Sequence, residues 1–108
     1  MKKIVNFEKI NETCDYIEKR CQLLREKKFE ILKCVHELKT INNTDNIIKI
    51  SLLYNEKIDK LEKIIIILEF YVKMMRNNSN INQELFSEFK NKLKNSLLES
   101  EELFYEKY

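Results

Sequence analysis

The chain has 108 residues, 44% hydrophobic and 35% charged, with a formal net charge of +2. That length holds one modest core, and the balance is that of a folded chain. A near-neutral charge argues against a nucleic-acid partner, which calls for a basic domain or stripe. The longest apolar run, Ile64 to Leu68, falls far short of the ~20 residues that cross a bilayer.

There is no Gly, no Pro and no Ala, while Ile, Asn and Lys abound. An AT-rich genome accounts for part of this bias, yet the usual helix breakers are still missing, so helices can run long. Three cysteines without paired spacing argue against a disulfide framework and for a reducing compartment. Met1-Lys2-Lys3-Ile4 begins like a signal peptide, but Glu8, Lys9 and Asn11 interrupt any apolar stretch behind it. These features predict a cytoplasmic protein.

Two Asn-rich patches, Ile41 to Asn46 and Asn77 to Asn82, divide the chain into three helices at about 4–40, 45–76 and 82–107. In the absence of glycine, Asn is the best residue for a left-handed helix end. Thr44 and Asn82 are expected to cap the second and third helices, with Ile81 and Phe86 as a hydrophobic staple; Asn80 with Gln83 offers a competing capping box.

The first helix carries a heptad with Phe7, Cys14, Cys21, Lys28 and Val35 at a, and Ile10, Ile17, Leu24, Ile31 and Leu38 at d. Lys28 is the polar exception, placed either to fix register or to send its ammonium outward along a packed stem. The second helix answers with Ser51, Ile58, Ile65 and Val72 at a, and Ile47, Tyr54, Leu61, Leu68 and Met75 at d. Two long helices joined by a short loop form an antiparallel, coiled-coil-like hairpin. Around Ile64 to Met75 the second helix is apolar on most sides, which calls for a second neighbour. The third helix supplies one: Phe86, Phe89, Leu93, Leu97, Phe104 and Tyr108 recur near the natural helical period. The expected fold is all-α: one domain, residues 1–108, with the third helix packed back on the hairpin as a three-helix bundle.

Catalytic chemistry finds no foothold. One histidine cannot complete a zinc site, and no phosphate loop or nucleophile elbow exists without glycine. Cys34 and His36 lie two apart, and such residues do not face each other on a helix. Cys14 and Cys21 read as core residues. The cations Lys19, Arg20, Arg25, Lys27, Lys28 and Lys33 interleave with Glu18, Glu26 and Glu30, the pattern of a solvated, salt-bridged face. The chain is therefore expected not to be an enzyme and to take no metal or cofactor.

What remains is binding. The apolar residues of the second helix exceed what two neighbours can cover, and aromatics crowd the C-terminal end. The candidate partner-binding residues are Ile64, Ile66, Ile67, Phe70, Tyr71 and Met74, with Phe104, Tyr105 and Tyr108. The stretch Leu23-Leu24-Arg25-Glu26-Lys27-Lys28-Phe29-Glu30-Ile31-Leu32 is similar, over these ten residues of amphipathic pattern, to the first helix of small flagellar and type III export chaperones. The likeness implies a small helical chaperone or adaptor that receives a partner's helix. Two other expectations stand beside it: a self-associating coiled-coil component of a larger assembly, dimeric through its seam, and a small phage-type protein inhibitor.

Overall fold

The computed structural model describes residues 4–78 and 80–105. They form three helices: α1 (Phe7–Ile41), α2 (Asp45–Asn77) and α3 (Gln83–Glu102). Helix α1 packs along α2, and α3 packs against α2, giving an all-α three-helix bundle of 64 × 24 × 17 Å.

Each helix starts at a side-chain cap. Asn6 accepts from the Glu8 amide (2.9 Å), Thr44 from Ile47 (3.4 Å) and Asn82 from Leu85 (2.9 Å). The capping box from Asn80 is not used; the Asn80 amide instead donates to the side chain of Asn78. Helix ends depart from expectation. No described residue has a positive φ; Asn42 and Asn78 close α1 and α2 in extended conformation, and the Asn42 amide donates back to Leu38. An extended residue frees the chain from the helix without the steric cost that a Cβ meets in the left-handed region.

The start of the chain differs too. Helix α1 begins at Phe7, because residues 4 and 5 run extended beside the α2–α3 loop: the Val5 amide donates to the Ile81 carbonyl at 2.8 Å, and Ile4 bridges Asn82. Val5 therefore enters the core, and Phe7, expected at the first a position, is 64% exposed. The third helix stops at Glu102 rather than near 107.

One continuous core joins Ile10, Cys14, Ile17 and Cys21 of α1, Leu61, Ile64, Ile65, Leu68, Val72 and Met75 of α2, and Phe86, Phe89 and Leu93 of α3. Ile81 and Phe86, the expected staple pair, are both fully buried within it. The core stops one heptad short of Lys28. Beyond that point the hairpin continues with only Val35, Ser51 and Ile58 buried, none of them part of the main cluster.

Ion pairs follow the same division. On the side of the seam away from α3, Arg76 binds Asp15 (2.8 Å), Glu18 (3.1 Å) and Asn11 (3.0 Å); Arg25 pairs with Glu69, and Lys28 with Glu62. The two acids hold the Arg76 guanidinium charged even more firmly than usual. Such half-exposed pairs contribute little energy singly, but they fix register along the bundled half. Among the described residues no ion pair joins α1 to α2 beyond Lys28–Glu62. Lys28 keeps its stem half-buried in the seam and takes its ammonium to Glu62, so the snorkelling reading describes it.

Substitution should reveal the two halves. Leu61→Ala, which empties a fully enclosed site, is expected to cost about 3 kcal/mol of unfolding free energy in urea titration. Leu38→Ala, at a formally equivalent but exposed d position, is expected to cost less than about 1 kcal/mol.

Candidate protein-binding groove

Helix α3 lies over the groove between α1 and α2, on the flank carrying Ile64 and Tyr71. Its own stripe of Phe86, Phe89 and Leu93 enters the core, the Tyr71 and Phe89 rings sit 5.5 Å apart, and Glu101 pairs with Arg20 of α1 at 3.1 Å. With 20 residues against the 33 of α2, α3 spans about 30 Å of a groove about 50 Å long. It leaves about 20 Å of groove open.

The boundary is a clamp. Phe104, just past the end of α3, is half-buried, with the Lys27 ammonium 5.0 Å and the Lys57 ammonium 6.0 Å from its ring centre. One cation comes from each long helix, so the ring's negative faces attract charge from both. Past this clamp the groove continues as an apolar cavity of about 380 Å³ lined by Lys27, Glu30, Ile31, Cys34, Val35, Leu38 and Tyr54. Leu38, Ile50 and Leu53 are exposed in the same half of the hairpin, and Ile41 more so.

The expected binding residues divide. Ile64 is 4% exposed and belongs to the core, a correction that follows from its place under α3. Tyr71 and Met74 are half-buried against that core. Ile66 (65% exposed), Ile67 and Phe70 (57%) do form an exposed strip on the outer side of α2, and Phe70 borders a shallow cleft with Met74 and Phe89. Phe104 is the clamp, Tyr105 is exposed, and Tyr108 lies outside the described residues. The α2 seam expected to serve a dimer is occupied by α1 of the same chain. Sequence reasoning passed over Ile31, Leu38, Ile50 and Tyr54 as binding residues. The signal available was length: an α3 much shorter than the hairpin leaves its far end uncovered.

The basic cluster is mostly spent internally, since Arg20, Arg25 and Lys28 pair with acids of other helices and Lys27 faces Phe104. Among the described residues no group of three or more His, Cys, Asp or Glu is placed to hold a metal ion, and no helix is long and apolar enough to cross a membrane. No protein-family model matches the chain, and searches of curated proteins and of solved structures found no match either.

The three thiols differ sharply. Cys14 is sealed in the core, its Sγ 3.9 Å from the Val72 carbonyl, and burial raises its pKa. Burial, reinforced by the Glu69 charge, pushes Cys21 up to about 11. Cys34 is exposed on the wall of the open groove. A raised pKa leaves less thiolate at any working pH, and thiolate is the nucleophile. Iodoacetamide at pH 8 is therefore expected to label Cys34 alone in the folded protein. Peptide mapping should find Cys14 and Cys21, both sealed in the core, labelled only after unfolding.

Proposed function

We propose that the chain is a non-catalytic protein-interaction module, a small chaperone or adaptor that takes an amphipathic helix of another protein into the open half of the α1–α2 groove. The single observation that carries this reading is the interruption of one continuous groove by its own third helix. The chain fills one half of the groove with α3 and leaves the other half apolar and open beyond Phe104.

Helix α3 serves as the template for the occupant. It enters with apolar residues three and four apart and meets the basic wall of α1 through an acid, Glu101 to Arg20. A helix continuing its line would need about 13 residues to fill the remaining length. Apolar side chains at i, i+3/4 and i+7 would meet Ile31, Val35, Leu38 and Tyr54. An acidic residue at the end nearest the clamp would meet Lys27 and Lys57. Three unpaired thiols suit a reducing compartment, and we place the protein in the cytoplasm.

The test uses tagged full-length chain in its native host, comparing wild type with Leu38→Glu/Ile50→Glu. Both positions are exposed, so circular dichroism should be unchanged while a charge in the groove weakens partner binding about a hundredfold. In the wild-type complex Cys34 should label more slowly than in the free chain. A partner that binds the double variant equally well and leaves Cys34 reactive would rule the groove out.

A further inference from the structure

Helices α1 and α3 run in the same direction. The Lys9 ammonium lies 5.9 Å from the centre of the Phe86 ring, Arg20 pairs with Glu101, and Lys27 reaches Phe104. Between them is a cleft of about 370 Å³ lined by these two helices alone. That volume lies within the range of about 300–1,000 Å³ in which small molecules bind. Ile17 and Leu93 are buried at its floor, Leu97 is half-buried, and Tyr16 and Leu98 stand exposed on its walls.

The two ends of the cleft differ in chemistry. Thr13, Lys90, Asn91 and Lys94 line the end nearer the α2–α3 loop. There the ammoniums of Lys9 and Lys90 share one ring, Phe86, at 5.9 and 5.3 Å. None of Lys9, Lys90 and Lys94 has an ion-pair partner among the described residues. Glu101 is the only acid among the lining residues, and Arg20 already neutralises it. An aromatic face attracts an ammonium but offers it no lone pair, so its three donors stay free for an anion. Toward the other end Leu97 and Leu98 make the cleft apolar, and the Arg20–Glu101 pair ties its walls together at 3.1 Å. A helix laid along the cleft would have to cross that pair, whereas a thin extended chain ends at it. From Lys90 to Glu101 α3 rises about 16 Å, the length of a carboxylate with a chain of about ten carbons.

We propose that this cleft binds a single-chain carboxylate of the medium-chain fatty acid class. The head group sits on Lys90 and Lys94 with the charge of Lys9 beside it, and the tail runs over Ile17, Leu93 and Leu97 toward the ion pair. The cleft shares no lining residue with the open groove beyond Phe104, so it stands or falls separately from the binding of a partner helix.

Titration of the isotope-labelled full chain with decanoate, followed by amide shifts, tests the site. The shifts should centre on residues 13–20 and 90–101 and saturate at one equivalent, with a dissociation constant below about 1 mM. L38E/I50E should bind decanoate as the wild type does. K90E/K94E removes the cations and L98E sets a charge at the apolar end; all three positions are exposed, so circular dichroism should be unchanged. Each variant should weaken decanoate binding about tenfold or more, and K90E/K94E should take decylammonium better than the wild type does. No saturation below about 1 mM, shifts centred instead on residues 31–38, equal affinity for uncharged decanol, or undiminished decanoate binding by K90E/K94E overturns the proposal.

Discussion

Burial of one flank of α2 by α3 is the interaction on which the rest of the structure depends. A helix with apolar residues on both sides of its seam stays exposed unless two neighbours cover it. Here α1 covers one side for the full length of the hairpin, while α3 covers the other only from the α2–α3 loop to about Lys57. Where both neighbours are present, side chains as large as Phe86, Leu61 and Leu68 are fully enclosed. Where one is missing, the same heptad positions hold residues that are half-buried or exposed, such as Tyr54 and Leu38.

Electrostatics follow this division. The ion pairs from Arg76 to Lys28 run along the side of the seam away from α3, and Arg20–Glu101 closes the side that α3 covers. Both stop where the main core stops. Lys28 is the natural terminus: a charged group at an a position interrupts the apolar seam, and its link to Glu62 is the last between the long helices. The far half of the hairpin is thus held by a thin core of Val35, Ile58 and the small Ser51. It keeps apolar side chains such as Leu38, Ile41, Ile50 and Leu53 exposed.

Much of this was legible in the residues. The heptads of α1 and α2, the Asn-rich breaks and the caps at Thr44 and Asn82 follow from local chemistry, so the three-helix fold could be read directly. Phe7 was misplaced because the heptad count carries no information about the backbone bond from Val5 to Ile81, a contact between segments far apart in the chain. Ile64 was read as surface because periodicity shows that α2 is apolar all round but not which side α3 takes. The uncovered far end was legible in part, since a third helix shorter than the hairpin leaves that end as two helices; each groove residue is an ordinary heptad position, however, so none stood out as a binding residue.

The hairpin is therefore uneven: a bundled half that holds the main core and an open half whose apolar flank no other helix of the chain covers. Native-state hydrogen exchange resolved to single amides tests this unevenness most directly. Amides of residues 14–21, 61–75 and 86–93 should exchange only through global unfolding, whereas those of 31–38 and 47–54 should exchange through a separate, lower-energy opening. Uniform protection along the whole of both long helices would contradict it.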